Sequence, residues 1–195
     1  MKVIGITGGI ASGKTLVSNF IKSKNYTVIE ADRIAHDLLE KPKIVSKIAE
    51  TFGEEVIVNG KVDRDALGKI IYYDKKLQKK LNAIIHPKVR KAINKELKKH
   101  RDEDLVFVDV PLLYEAKMED MMDKIVVVYV ERQTQIERLM DRDKIIWDYA
   151  VTKIDSQIPL KEKFQRADFI INNEGTKQST EEQVENFLRE LKHEI

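Results

Sequence analysis

The 195-residue chain has no cysteine, only 4 prolines, 8 glycines and 1 tryptophan, and just 7% aromatic residues. Without cysteine there can be no disulfide, thiolate metal site or cysteine nucleophile. No low-complexity linker and no internal repeat interrupts the chain. No apolar run approaches the roughly 18–20 residues of a membrane span. The N-terminal MKVIGITGG lacks the charged start and small-residue cleavage site of a signal peptide, so a soluble cytoplasmic protein is expected. Net charge is also small. The 35 basic and 33 acidic residues leave +2, which by itself suggests no polyanionic partner.

What remains suits one domain carrying an inserted subdomain. With 42% apolar residues, a chain of this size can bury roughly 70% of its unfolded surface. The charges are unevenly spread: residues 69–101 hold 12 Lys and Arg against 2 Asp and Glu, whereas 102–143 hold 5 against 12. A basic block of that length suits a surface for a phosphorylated substrate, a nucleic-acid contact or a solvated lysine-rich helix face.

Five short β-branched runs stand out at 2–7, 26–30, 105–110, 124–130 and 168–172. Their near-continuous hydrophobicity fits strands buried on both faces of a parallel sheet. Helical patterns at 14–24, 131–143 and 180–193 lie between and after them, the last opened by a Thr180–Gln183 capping box. Alternating strands and helices predict a doubly wound α/β domain. The stretch from Ala31 to Asp104 is too long for a loop and reads as a mostly helical subdomain. Proline inside a helix costs about 3 kcal/mol, which predicts a break at His86-Pro87, with Pro87 in the first turn of the next helix. A smaller excursion, 143–167, contains Trp147.

Gly8-Gly9-Ile10-Ala11-Ser12-Gly13-Lys14-Thr15 matches G-x-x-x-x-G-K-[ST] between an apolar strand and an amphipathic helix. Small residues let backbone amides wrap phosphates at a helix N-terminus. Lys14 would reach the β- and γ-phosphates, and the Thr15 hydroxyl would bind Mg²⁺. The D-x-x-G of a GTPase is met at Asp65–Gly68 by letter only, and Asn94–Leu97 fails N-K-x-D at its last position. A small kinase fits better. Asp32, past the second strand, is either the general base for an acceptor hydroxyl or a helix N-cap. Asp109 ends the third strand and is either a Mg²⁺ holder acting through water or a paired carboxylate. Glu115 joins Asp109 or caps the next element. Arg138 and Arg142, at i and i+4, are either lid arginines over a triphosphate or exposed helix charges. His86 by itself reads as a hydrogen bonder at a helix junction.

Taken together, IGITGGIASGKT, IEADRIAHDLL, IIHPKVR, VFVDVPLLYE, QIERLMDRD, SQIPLKEKFQRAD and FIINNEGT resemble the dephospho-CoA kinase family over nearly the whole chain. The resemblance implies ATP-dependent phosphorylation of the ribose 3′-hydroxyl of dephospho-CoA, yielding CoA and ADP, with Mg²⁺. It implies a P-loop kinase core with a five-stranded parallel sheet (1–32, 102–130 and 165–195), a helical CoA-binding insertion (33–101) and a small helical lid (131–164). Carried onto this chain, Gly8, Gly9, Ala11, Ser12, Gly13, Lys14, Thr15 and Leu16, with Asn173 and Gly175, bind ATP. Asp32 is the catalytic base, assisted by Lys14, Arg138 and Arg142. Asp32, His36, His86, Arg90, Asp109 and Leu113 meet the acceptor, and Thr15 and Asp109 hold Mg²⁺ through its waters. The chain departs from the family at Ala11, usually Gly, and at Lys153, commonly Arg, whose fork lysine cannot reproduce. The expected partners are ATP and dephospho-CoA, with no nucleic acid or membrane, acting as a monomer or small homo-oligomer. Two other readings stand beside this one: a kinase for another small metabolite, and a nucleic-acid-binding P-loop ATPase using the basic block.

Overall fold

The computed structural model describes residues 1–71 and 74–194. In chain order its elements begin with β1 (Lys2–Gly8), α1 (Lys14–Ser23), β2 (Thr27–Glu30), α2 (Ala31–Leu39) and α3 (Pro42–Phe52). Next come β3 (Ile57–Val58), β4 (Lys61–Val62), α4 (Arg64–Ile71), α5 (Lys75–Lys99) and β5 (Leu105–Asp109). The chain ends with β6 (Lys124–Tyr129), α6 (Arg132–Asp143), α7 (Trp147–Asp155), α8 (Leu160–Gln165), β7 (Phe169–Asn172) and α9 (Lys177–His193). It divides into two units, residues 1–30 with 99–195, and residues 31–98. No helix among the described residues is long and apolar enough to cross a membrane.

In the first unit the five β-branched runs pair as a parallel sheet in the order β2-β5-β1-β6-β7. All the strands point the same way, so β1, β2 and β5 deliver Gly8, Glu30 and Asp109 to one edge. The register sets Glu30 opposite Asp109 and Asp109 opposite Ile6. Ile4, Ile6, Phe107, Val126 and Val128 pack against Val17 and Ile21 of α1 and Val184, Phe187 and Leu191 of α9. Phe107 meets Tyr26 and Phe187 edge-on, with ring centroids 5.5 and 6.3 Å apart. Burying each such side chain contributes about 1.5–3 kcal/mol.

The second unit is mainly helical, with a core of Ile44, Ile48 and Phe52 from α3, Leu67 from α4 and a stripe along α5. It also contains an antiparallel pair, β3–β4, that the helical reading of this stretch did not include. Its turn residues Asn59 and Gly60 both have positive φ, 52° and 72°, the requirement of a tight hairpin turn that Asn-Gly satisfies.

Two local expectations are corrected. α5 does not break at His86-Pro87 but runs for 25 residues with Pro87 inside. Pro87 has no amide to offer the preceding turn, a cost of about 3 kcal/mol. Ile85, Val89, Ile93 and Leu97 form one buried stripe across it at a spacing of four. Their burial, at about 1.5–3 kcal/mol each, outweighs the lost bond. The last helix, α9, starts one turn before the expected capping box. Its N-cap is Thr176, whose side chain accepts from the Ser179 amide at 3.2 Å. Thr180 is fully buried and donates to Asn173 Oδ1 at 2.8 Å, while Gln183 bonds both the amide and the carbonyl of Asn172. The motif pins β7 to α9 instead of capping the helix.

Thr176→Ala is therefore expected to lower unfolding stability by about 1 kcal/mol in urea titration, the usual loss for a deleted N-cap.

Candidate active site

The Gly8–Thr15 loop leaves the sheet at the end of β1 and enters α1 at Lys14. Gly13 has φ +87°, and a Cβ there would collide with Nδ2 of Asn173. A Cβ on Gly9 would collide with Nε2 of Gln135. Ala11 holds φ +59° despite its methyl, a conformation costing an L-residue roughly 1–2 kcal/mol. That methyl packs on the cluster formed by Ile136 and Leu139 of α6 with Ala150 and Ile154 of α7.

Side chains from distant sequence hold the loop backbone. Gln135 donates to the Ile10 carbonyl at 2.8 Å, and the Ile10 amide donates to Gln157 Oε1 at 3.1 Å. Asn173, buried at the end of β7, donates from Nδ2 to the Ser12 carbonyl at 2.8 Å. Lys163 donates to the Gly8 carbonyl at 3.2 Å. Gln135, Gln157 and Lys163 lie within the family-like stretches QIERLMDRD and SQIPLKEKFQRAD, but those stretches by themselves give them no role. Each has polar neighbours in sequence, and its position in space sets it apart.

Below the loop, Lys14 forms an ion pair with Asp109, and Ser18 donates to the other Asp109 oxygen at 2.6 Å. Ser18, another residue the motif does not mark, sits one turn into α1 and is buried. Asp109 is thus a paired carboxylate here, at the strand end where a Mg²⁺ holder belongs. A phosphate carries more negative charge than one carboxylate and can compete for Lys14. Thr15 is exposed in the first turn of α1, and Leu16 follows it with its amide on the Gly13 carbonyl at 2.9 Å. Gly175 is exposed beyond β7.

Arg138 and Arg142 hold different partners. Arg138 donates to the Asn173 carbonyl at 2.9 Å. Arg142 and Lys153 share the Asp143 carboxylate, at 2.8 and 2.9 Å. Those two bonds, the Arg142 bond first, draw the Asp143 carboxyl down to about 2. Glu115 neither joins Asp109 nor caps an element: its Oε1 accepts from the Ile158 amide at 3.0 Å and from Lys163 at 2.8 Å. Leu113 is fully buried against Gly5 and Met122, so its side chain belongs to the packing over β1.

In the unit of residues 31–98, α2 begins at Ala31, directly after β2. Asp32 is therefore not the N-cap; it is an exposed carboxylate in the first turn, where the helix dipole favours negative charge. Nδ1 of His36 lies 3.0 Å from Nη1 of Arg64. Guanidinium can only donate, so Nδ1 accepts and the imidazole proton sits on Nε2. His86 and Arg90 are half-buried one turn apart on α5, and burial pushes the His86 pKa below its ordinary 6.5. A groove of about 1050 Å³ has an apolar floor including Leu38, Pro42 and Ile44, and six lysines line it, four of them from α5. Among the described residues no Asp or Glu lines this groove.

A parallel sheet with this loop at its C-terminal edge, and an acid ending the adjacent strand, defines a P-loop kinase. The structure of shikimate kinase from Bacteroides thetaiotaomicron shares that fold, with TM-score 0.53 and 16% identity over 98% of each chain. The chain belongs to the dephospho-CoA kinase family, whose model matches residues 2–179. It is 42% identical over 191 residues to dephospho-CoA kinase of Bacillus cereus, covering 96% of both. It also resembles the solved dephospho-CoA kinase from Campylobacter jejuni, with TM-score 0.76 and 29% identity over all of both chains.

The depressed His86 pKa fixes a pH dependence. The unfolded chain binds this proton more readily than the folded one, so stability falls as pH drops below 6.5. His86→Gln is expected to flatten that part of the pH-stability curve, measured by thermal melting between about pH 7 and pH 5.

Proposed function

We propose that the protein transfers the terminal phosphoryl group of ATP to the ribose 3′-hydroxyl of dephospho-CoA, yielding CoA and ADP in coenzyme A biosynthesis. The observation carrying this reading is the largely buried Lys14–Asp109 pair beneath a phosphate loop, in a chain of this family. The loop amides and the start of α1 cradle the ATP phosphates, and Lys14 leaves Asp109 for the β- and γ-oxygens. Arg138 and Arg142, carried on α6, stabilise charge that spreads over the transferred group. The remaining loop residues shape the ATP cradle, and Asn173 and Gly175 border it.

The donor set fits Mg²⁺. The Thr15 hydroxyl and the Asp109 carboxylate are hard oxygen ligands that would hold this ion, Asp109 through one of the waters such an ion keeps. When bound, Mg²⁺ neutralises charge on the phosphate oxygens. Asp32 follows β2 by two residues, and Glu30, the last residue of β2, lies opposite Asp109 in the strand register. There it orients the acceptor hydroxyl and accepts its proton late, because the transition state is loose. His36, His86 and Arg90 bind the acceptor, and Leu113 supports its site by packing. The lysine groove of the helical unit attracts the acceptor's pyrophosphate, which gives the basic block its use.

The reading is tested by coupled ADP release with a panel of acceptors, and by phosphorus NMR to locate the new phosphate. Dephospho-CoA should give the highest kcat/KM, with the product phosphate on the 3′ oxygen; a higher kcat/KM for adenosine or AMP would exclude this assignment. Asp32→Asn should lower kcat by roughly 10²–10⁴ and leave ATP affinity nearly unchanged. Unchanged turnover in that variant would remove Asp32 from the chemistry.

A further inference from the structure

Lys163 is completely buried, yet it carries an ammonium group. Its three N–H donors meet three oxygens: Glu115 Oε1 at 2.8 Å, the Gly8 carbonyl at 3.2 Å and the Pro111 carbonyl at 3.5 Å. Thr7 also donates to the Pro111 carbonyl, at 3.1 Å. A buried ion pair is a weak source of stability, because desolvation offsets most of the attraction and apolar side chains of similar volume often serve as well. Where the charge is directed therefore carries more information than its contribution to folding.

The β1–β5 ladder ends at Ile6 and Asp109, followed by one bond from the Val110 amide to the Ile6 carbonyl. Beyond that point the two strands separate. One becomes the phosphate loop, starting at Gly8, and the other carries on from Asp109 through Pro111. Lys163 bonds to both just past the end of the ladder. The gap it spans, with Thr7, is the one across which Lys14 and Asp109 pair. Lys163 lies on α8, and Leu160 of that helix also packs beside Gly9.

We propose that Lys163 is a positioning residue for phosphoryl transfer, a buried cation that fixes the phosphate loop relative to the strand bearing Asp109. It touches backbone and Glu115, and acts on the nucleotide only through the loop. This rests on the ATP-dependent activity proposed above, but ATP affinity tests it separately from the identity of the acceptor.

The test compares Lys163→Met with the double variant Lys163→Met, Glu115→Leu. The single variant leaves a buried carboxylate with the Ile158 amide but no cation; the double variant removes both charges, and with them that amide's acceptor. The readouts are melting temperature, binding of a fluorescent ATP analogue, and KM for each substrate. The double variant should melt within about 5 °C of the parent. Its KM and Kd for ATP should stay raised about tenfold or more, with KM for dephospho-CoA within about twofold. Parental ATP affinity in a stable double variant would overturn the proposal, as would an equal rise in both KM values.

If the double variant does not fold, Lys163→Cys supplies the chain's only cysteine. It is alkylated in denaturant and refolded beside the parent. 2-Bromoethylamine rebuilds an ammonium at lysine's length, and 1-bromopropane builds a neutral chain of the same length. Recovery of ATP affinity with the ammonium adduct alone supports the proposal; equal affinity with both adducts overturns it.

Discussion

Where β1 runs off the sheet, its backbone loses the ladder partners that every buried N–H and C=O group requires. The phosphate loop survives this because side chains replace the ladder: Lys163 at Gly8, Gln135 and Gln157 on the two sides of Ile10, and Asn173 at Ser12. Each replacement comes from a segment far along the chain. The loop is therefore shaped by the elements around it as much as by its own glycines. A methyl group on Gly9 or Gly13 would push Gln135 or Asn173 off the loop carbonyl each holds, and Gly13 also has φ +87°, which disfavours any side chain.

The same edge of the sheet concentrates charge under cover. Lys14 with Asp109, and Lys163 with Glu115, are two largely buried pairs reached from β1, β5 and α8. In a medium less polarisable than water, such pairs are held firmly only when further hydrogen bonds complete them. Ser18 completes the first, and backbone carbonyls complete the second. The two pairs differ in enclosure. Lys14 with Asp109 is partly open below the loop, whereas Lys163 is fully enclosed and joins backbone on both sides of the gap.

The helical unit is organised by α5. Its apolar stripe crosses Pro87 without interruption, with lysines on other faces that line a groove free of acids among the described residues. A block with 12 basic and 2 acidic residues is hidden by cancellation in the whole-chain charge. Folded onto one helix and beside the start of α3, part of it becomes a local positive field over an apolar floor, suited to an anion with an organic portion.

The linear chain alone determined the five buried strands, the phosphate loop and Asp109 at a strand end. Runs of β-branched residues and the chemistry of a Gly-Lys-Thr turn act over a few residues, and those run ends agree with the observed strands to within one residue. The Asn59-Gly60 hairpin was equally local and could have been read. What only the tertiary structure decided depended on competition or distance. Burial of Ile85, Val89, Ile93 and Leu97 prevailed over proline's tendency to break α5. Thr180 and Gln183, a plausible cap by spacing, bond to Asn172 and Asn173 instead. Gln135, Gln157, Ser18 and Lys163 acquire their roles from partners 91 to 155 residues away. No periodicity encodes such pairings, because they arise only when the closed fold leaves a carbonyl, an amide or a carboxylate that water can no longer reach.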